Sequence, residues 1–400
     1  MTKRTAVLLA AICLSALSAA LPPRPAPARA DEPEAQRNIA TFSVVAYDPA
    51  TGEVGVAVQS KFFAVGSVVP YAQAGVGALA SQAFGNTTFG PRGLELMEEG
   101  YPAAQALLEL ISADDDAARR QVGIVGVGGG NMLEGWLELI DPALPVENQP
   151  TMSYSEDPPA AAFSYTGGEC MDWAGGFASV TPDGVVYCCQ GNILTGADVV
   201  DAMANAMDYG IVPDGTVLTS TERTAVGFGD LAGRMLAALL AGQSKGGDSR
   251  GMQSAALLVK QEGAGYGGYN DVKYDLRVDD ALDPFNELAR LLNLARPFAL
   301  TNHGYRVLYE GEYAEAIEIF SYLAELEPKV AFHPYNLACA LSLSGELEAA
   351  LEQLALALEL DPMMQGHAAQ DPDLEPLHGM AGFAELVGTE ESGAADAVGE

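Results

Sequence analysis

A two-residue alternation between residues 41 and 82 constrains the fold of this chain more than any other stretch. Apolar side chains alternate with small or polar ones over 41–47 and again over 54–58. A turn-forming segment rich in Pro, Asp and Gly, residues 48–52, separates the two runs. This period of two predicts a hairpin with one buried face, and a third strand is expected over 76–80.

Further strands and helices follow in an order that predicts an α+β domain with two stacked sheets and helices on the outer faces. A Pro-rich and acidic segment, 131–162, is interpreted as an insertion that forms a lid or a surface flap. The remaining strands are expected over 121–127, 163–166, 177–180, 185–190, 254–260 and 274–278, and helices near 94, 104–111, 196–207 and 230–241.

The first 40 residues predict export. Lys3 and Arg4 precede an apolar run, and Ala28-Arg29-Ala30 fits a signal-peptidase site, so 1–30 is interpreted as a signal peptide and 31–40 as a linker. The apolar run is short for a membrane span. We therefore expect a periplasmic or secreted protein.

A recurrence at 34 residues dominates the C-terminal part. Gly311, Glu312, Ala316 and Pro328 return as Gly345, Glu346, Ala350 and Pro362. This period is typical of tetratricopeptide repeats, which pair two helices per unit and bind extended segments. The pattern predicts an all-α module over 293–387 that binds a protein or peptide partner, capped by helices near 284–298 and 373–387. A disordered tail is expected over 388–400.

The charge balance limits the partners. The chain carries 54 acidic against 20 basic residues and a formal net charge of −34. Such a chain repels phosphate backbones and anionic lipid, which excludes nucleic acid and membrane surfaces as expected partners. The charge itself indicates a solvated surface, and a basic segment is the expected ligand of the repeats.

Cysteines outside the signal segment leave two alternatives open. Cys170 can pair with Cys188 or Cys189 in an oxidising compartment, or all three remain buried thiols. No histidine accompanies them and their spacing fits no zinc pattern, so no metal or other cofactor is expected. The acidic cluster at 275–280 is interpreted as an exposed ion-pair network, although its acids could also hold a divalent cation.

All four histidines lie beyond residue 300. A Ser-His-Asp or Cys-His arrangement within the first 300 residues is therefore excluded unless the repeats supply a histidine. A hydrolase built from those residues needs another base, and an N-terminal α-amine with a pKa of about 8 is suitable.

The start of the 41–82 stretch resembles the start of N-terminal-nucleophile hydrolases. Thr41 begins a strand, an Asp-containing turn follows, and the next strand ends in Ser60-Lys61. Across 41–292 the chain is similar to the bacterial family catalogued as domain of unknown function 1028. These resemblances imply a four-layer αββα sandwich. They also imply that Thr41 is the nucleophile and that its own amine is the base once a second cut has removed the preceding residues.

The resemblance also implies the surroundings of the nucleophile. Lys61 would hold a fixed positive charge near the amine, Ser60 would hydrogen-bond the amine, and backbone amides around Ala80, Ser81 and Gln82 would hold the oxyanion. Substrate-binding positions are expected among the polar residues of three further segments: Asn86, Arg92, Gln190, Asn192, Asp248, Arg250, Gln253 and Ser254.

Three functions are compatible with the sequence. The first is an exported amidohydrolase that cleaves an amide of a small molecule or peptide through Thr41. The second is a non-catalytic binding or scaffold protein of the envelope in which Thr41 stays blocked. The third is a structural assembly factor.

Overall fold

The computed structural model describes residues 41–128, 139, 149–157, 159–209 and 230–388. The expected signal peptide, the linker, the tail beyond residue 388 and most of 131–150 lie outside these residues. The strands are β1 (Thr41–Asp48), β2 (Glu53–Ser60), β3 (Pro70–Gln73), β4 (Gly77–Ala83), β5 (Arg120–Val127), β6 (Thr151–Glu156), β7 (Pro159–Thr166), β8 (Trp173–Val180), β9 (Val186–Leu194), β10 (Ser254–Lys260) and β11 (Val272–Val278).

The α-helices of the same residues divide between the two parts of the chain. Those among the strands are α1 (Phe89–Glu98), α2 (Ala103–Ser112), α3 (Asp198–Tyr209) and α4 (Leu231–Ser244). Those after the last strand are α5 (Pro284–Glu310), α6 (Tyr313–Leu326), α7 (Phe332–Ser344), α8 (Leu347–Leu360), α9 (Gln365–Ala368) and α10 (Ala381–Val387).

The strands form two antiparallel sheets. The first has the order β11-β10-β2-β1-β9-β8, and the second has the order β3-β4-β5-β7-β6. The β1–β2 hairpin predicted from the alternation is confirmed, with Thr41 opposite Ser60 and Asp48 opposite Glu53. It lies in the middle of the first sheet, because β1 also pairs with β9 and β2 with β10.

Side chains alternate between the two faces of each sheet, and three apolar clusters follow from this. Val45 of β1, Val125 of β5 and Val186 of β9 belong to a cluster with members from both sheets. Phe42 and Val44 instead join a cluster with residues of α3, α4 and α5. On the second sheet, Leu79, Val122 and Ile124 join residues of α1 and α2. Apolar burial of this kind is the main favourable term in folding.

Three sequence predictions differ from the structure. Strands β3 and β6 were not predicted, and part of the expected insertion, 151–156 and 159–162, forms the β6–β7 hairpin of the second sheet. Helix α1 begins at Phe89 instead of near Leu94, and Gly90 lies in its first turn. That glycine is required, because a Cβ there would lie 2.1 Å from the ring of Tyr71.

The C-terminal part is helical. Helix α5 crosses the predicted boundary at 292/293 without a break. Helices α6, α7 and α8 follow, and their apolar side chains form one cluster with the end of α5 and with the elements after α8. Gly311 and Gly345 end α5 and α7 with φ of 86° and 90°, a left-handed conformation that favours glycine. None of the described helices is long and apolar enough to cross a membrane.

The cysteines are not paired in the described residues. Cys170, Cys188, Cys189 and Cys339 all carry unbridged sulfur atoms. Of the two alternatives for the first three, free thiols are therefore the one present, and the disulfide of Cys170 with Cys188 or Cys189 is not formed. Cys188 and Cys189 are both fully buried.

One prediction concerns the packing of the first sheet. A Cβ at Gly55 of β2 would lie 2.5 Å from the carbonyl oxygen of Leu258 and 2.9 Å from Cε of Met235. Gly55→Ala is therefore expected to lower the free energy of unfolding by about 2 kcal/mol, since the backbone of β10 must shift. Urea denaturation of the variant and of the wild type measures this change in the free energy of unfolding. Gly196→Ala, whose Cβ meets nothing within 4 Å, is the control, and equal stability of the two variants would contradict the packing described.

Candidate active site

The space between the two sheets is apolar at one end and polar at the other. The positions that face this space recur at every second residue, and those at the polar end carry hydroxyl or amide groups. All of them are buried, at no more than 2% exposure. They are Thr41, Ser43, Ser60, Gln82, Gln121, Ser164, Thr166, Gln190, Asn192 and Ser254. Because none of these side chains is charged, the interior offers hydrogen bonds and no ion pairs.

Thr41 lies at the first position of β1, between two strands. Its register partners are Ser60 on β2 and Asn192 on β9. The Thr41 hydroxyl donates to Oγ of Ser60 over 3.2 Å. The contact joins the two hydroxyl groups across the hairpin, whereas the sequence predicts a bond from Ser60 to the Thr41 amine, which stays a prediction.

Gln82 links Thr41 to the second sheet. Its amide nitrogen donates to the Thr41 carbonyl over 3.3 Å and to Oε1 of Gln121 over 2.8 Å. Its Oε1 accepts from Ser43, two residues after Thr41, at 2.7 Å. One side chain of β4 therefore binds both the Thr41 carbonyl and the Ser43 hydroxyl of β1.

Gln121 is the centre of this network. Its Oε1 accepts from Gln82 and from Nδ2 of Asn192 at 3.0 Å. Its Nε2 lies within hydrogen-bond distance of Thr166 Oγ1, at 2.9 Å, and of the carbonyls of Gly191 and Gly175, at 2.8 and 3.2 Å. One amide thus joins β5 to strands of both sheets.

Gln190 makes a second, smaller link. Its Oε1 accepts from Ser164 over 3.2 Å, and its Nε2 donates to the Ala80 carbonyl over 3.4 Å. Space for this amide depends on Gly123, where a Cβ would lie 3.1 Å from the Gln190 side chain. Gln190 and Asn192, both predicted as substrate-binding residues, face the same interior as Thr41.

The loop around Asp248 is anchored to the end of β2. The Asp248 carboxylate has no exposed surface. It accepts from the Lys61 backbone N–H over 2.8 Å and from the Arg250 N–H over 2.9 Å, and it forms an ion pair with the Arg250 guanidinium. Asp248 therefore fixes the backbone next to Ser60.

Lys61 and Ser254 lie at the edge of the polar interior. The Lys61 ammonium is exposed and donates to the Met252 carbonyl over 3.1 Å. Ser254 accepts from the Val65 N–H and donates to the Phe62 carbonyl, over 3.1 and 2.5 Å. Both residues hold the turn after β2 and the segment before β10.

Four other predicted residues lie elsewhere. Ser81 faces away from Thr41, since its parity on β4 is opposite to that of Gln82, and it accepts from the Asn86 N–H. Asn86 donates to Asp114, and Arg92 pairs with Glu95 on the exposed side of α1. Gln253 is bonded to Asp280 over 3.1 Å. These residues do not converge on Thr41.

The acidic cluster at 275–280 contains the ion pair that the sequence indicated. Arg277 binds Asp275 at 2.8 Å, and both side chains are about 40% exposed. Hydrogen bonding to Asp275 raises the pKa of Arg277. Of the two interpretations of the cluster, the exposed ion pair is present between Asp275 and Arg277.

Cysteine chemistry is unfavourable in this region. Burial raises the pKa of Cys170 and of Cys188 to about 12, and the pKa of Cys189 is also raised by burial. Thiolate is the nucleophilic form, so these thiols are inert at neutral pH. The hydroxyls of Thr41 and Ser60 remain as the buried nucleophile candidates in contact with each other.

Sequence reasoning missed Ser43, Gln121, Ser164 and Thr166. Each has the parity of an interior-facing residue on a strand that is otherwise apolar, such as Gln121-Val122-Gly123-Ile124. A polar residue at a position expected to be buried was the available signal, because such groups are hydrogen-bonded in native structures.

Comparison with known proteins identifies a family whose model covers most of the two sheets. The model of the "Family of unknown function (DUF1028)" matches residues 41–135 and 156–288, more than half of the chain. No curated protein was found that matches. The crystal structure of protein SPO2555 from Silicibacter pomeroyi, described with the same family name, is 25% identical, with a TM-score of 0.43 over 64% of this chain and 89% of that chain.

Proposed function

The chain belongs to the DUF1028 family of unknown function, and on that basis we propose that its family domain is an amidohydrolase of the N-terminal-nucleophile type, with Thr41 as nucleophile. One observation carries the proposal. Thr41, the first residue of the family match, presents its hydroxyl to a buried polar interior and contacts Ser60.

The arrangement of the sheets supports the proposal. Two antiparallel sheets share one apolar cluster, and each packs helices in a separate cluster. We take this as the four-layer αββα sandwich of N-terminal-nucleophile hydrolases. In that arrangement the polar end of the space between the sheets is the active site.

The chemistry requires a chain that begins at Thr41. Its neutral α-amine accepts the hydroxyl proton while Oγ1 attacks the carbonyl carbon of an amide, and the protonated amine then donates to the leaving nitrogen. Water, deprotonated by the same amine, attacks the resulting threonyl ester. The acid is released and the hydroxyl is restored. Ser60, 3.2 Å from Oγ1, is positioned to orient this exchange.

Two of the groups expected to assist catalysis, the Ser81 N–H and the Lys61 ammonium, already donate hydrogen bonds to other partners. The Ser81 N–H, expected among the oxyanion donors, donates to the Val69 carbonyl over 3.3 Å. Oxyanion stabilisation by Ser81 therefore requires this bond to open. Lys61 contributes through its backbone, which binds Asp248, while its ammonium binds the Met252 carbonyl.

The C-terminal helices complete the proposal. The 34-residue recurrence, with Gly311 and Gly345 ending α5 and α7 in the same conformation, supports a tetratricopeptide module. We propose that it binds a protein or peptide segment, with basic segments favoured by the net charge of −34. Export through the N-terminal segment and a second cut at Ala40-Thr41 belong to the same proposal.

The intact mass and N-terminal sequence of the protein from its native compartment test the proposal. A chain that begins at Thr41 is expected, because only cleavage there creates the amine that the reaction needs. A chain that begins at Asp31 and stays unchanged on prolonged incubation would contradict the hydrolase. The non-catalytic binding protein would then be the better explanation.

A further inference from the structure

The helical part of the chain contains a cluster of metal-binding side chains that the proposed hydrolysis does not use. Cys339 lies on α7, and Asp371 and Asp373 lie at the start of the 3-10 helix Pro372–Leu377. One ligand atom from each of the three lies within 4.8 Å of the other two. The cluster is not at the surface, because the Cys339 side chain is buried and Asp371 is 12% exposed.

Several groups converge on a single oxygen of this cluster. Oδ2 of Asp371 lies 3.9 Å from Sγ of Cys339, 3.7 Å from Nε2 of His367 and 2.7 Å from the Tyr335 hydroxyl. Ligands around a tetrahedral zinc ion, at bonds of 2.0–2.3 Å, are separated by roughly 3.4–3.8 Å. The separations of Asp371 from Cys339 and His367 are therefore close to those of a zinc coordination shell.

A second observation lies one helical turn before the thiol. Asn336 is 3% exposed, and its Oδ1 accepts from Tyr305, but its Nδ2 has no partner among the described residues. Positions three apart share one face of a helix, so this amide lies on the same face as Cys339. A buried N–H requires an acceptor. A metal-bound thiolate on this face is an acceptor of the kind that outer-shell N–H groups bind in metal sites.

We propose that Cys339, Asp371 and Asp373 bind one Zn²⁺ ion and that the exposed ring of His367, whose Nε2 lies 3.7 Å from Asp371, turns to supply the fourth ligand. Thiolate and imidazole ligands favour zinc over Mg²⁺ and Ca²⁺, which prefer oxygen alone. On binding, the Cys339 thiol releases its proton to solvent and its sulfur becomes a ligand, so the contact with Asp371 is replaced by two bonds to the metal. The ion joins α7 to the segment 365–377 and so stabilises the end of the helical part.

The site brings together residues that are separated in the sequence. Cys339 precedes the other three by at least 28 positions, and no zinc spacing is visible along the chain. His367 lies in α9 and Asp371, four residues later, directly precedes the 3-10 helix, and the two side chains approach to 3.7 Å. The expectation of no metal rested on the cysteine spacing and on the lack of an accompanying histidine in the sequence, and neither shows which residues meet in the fold.

Calorimetric titration of the full reduced protein, freed of metal with EDTA and then of EDTA, tests the proposal with zinc chloride. One equivalent is expected to bind. Cys339→Ser and Asp373→Asn are expected to weaken binding by more than about 100-fold, because loss of a ligand exceeds the 10–100-fold effect of outer-shell partners. Titration with Co²⁺ should give a near-ultraviolet sulfur-to-cobalt band that Cys339→Ser removes.

Two control variants distinguish loss of a zinc ligand from a general effect of removing an acid or a thiol. Glu375→Gln removes an exposed acid of the same 3-10 helix, and Cys170→Ser removes a distant thiol. Neither should change zinc affinity. His367→Gln alters an exposed side chain, so it tests the fourth ligand even if Cys339→Ser fails to fold. The absence of binding at micromolar zinc, or binding unchanged in Cys339→Ser and Asp373→Asn, would overturn the proposal.

Discussion

Replacing Thr41 with alanine is expected to abolish amide hydrolysis, with a loss of at least about 10³-fold in kcat/KM. The variant keeps the α-amine but removes the hydroxyl that forms the threonyl ester. The fold should be retained, because the Thr41 backbone stays paired with β2 and β9 when the hydroxyl that donates to Ser60 is removed. Wild-type and variant chains are best made with Met directly before position 41, whose removal exposes the amine.

Two measurements check this result. One is the turnover of a panel of acyl aminocoumarins, and the other is labelling by a β-lactone, which adds its whole mass to the attacking hydroxyl. Thr41→Ser, which keeps hydroxyl and amine, should retain most of the labelling. Thr88→Ala, at an exposed threonine before α1, should behave as wild type. Equal labelling of Thr41→Ala and wild type would exclude Thr41 as the nucleophile.

Replacing Gln121 with leucine is expected to lower the free energy of unfolding by about 4 kcal/mol or more. Leucine has a similar volume but no polar atoms. The substitution leaves Asn192, Thr166 and the carbonyls of Gly175 and Gly191 without their bonds to Gln121. Each buried group left unpaired costs about 1–3 kcal/mol, which makes the sum large even with partial relaxation.

Urea denaturation followed by circular dichroism measures this difference. Gln73→Leu is the matched control, since the Gln73 amide binds Glu98 at the surface. Its effect should stay within about 0.5 kcal/mol. If Gln121→Leu proves as stable as Gln73→Leu, the polar network does not hold the sheets together as described.

The sequence predicted the elements whose signals are local. The β1–β2 hairpin follows from a period of two interrupted by a Pro- and Gly-containing turn. Helix α4 was expected to begin near residue 230, and the carboxylate of Asp230, a residue type favoured at that position, accepts from the Gly233 N–H over 2.8 Å. The limits of β10 were predicted to the residue. In each case the physical cause acts within a few positions of the chain.

The candidate site was predicted only in part. Thr41, Ser60, Gln82, Gln190 and Asn192 face one interior, as expected of a shared site. Ser81, Asn86 and Arg92 lie on the helix side of the second sheet instead. Ser81 and Gln82 are adjacent on β4 and therefore face opposite sides of the sheet, so an argument from neighbouring positions could not distinguish them.

By itself, the sequence determined the hairpin, the start of α4 and the absence of histidine from the sheets, because periodicity, turn chemistry and composition are properties of short segments. Only the tertiary structure decided which polar residues meet. Gln121 reaches Gln82 and Asn192 because β5 lies beside β4 and faces β9, and Cys339 reaches Asp371 because α7 packs on the segment that follows α9. Such contacts depend on the pairing of distant elements, which local patterns do not encode.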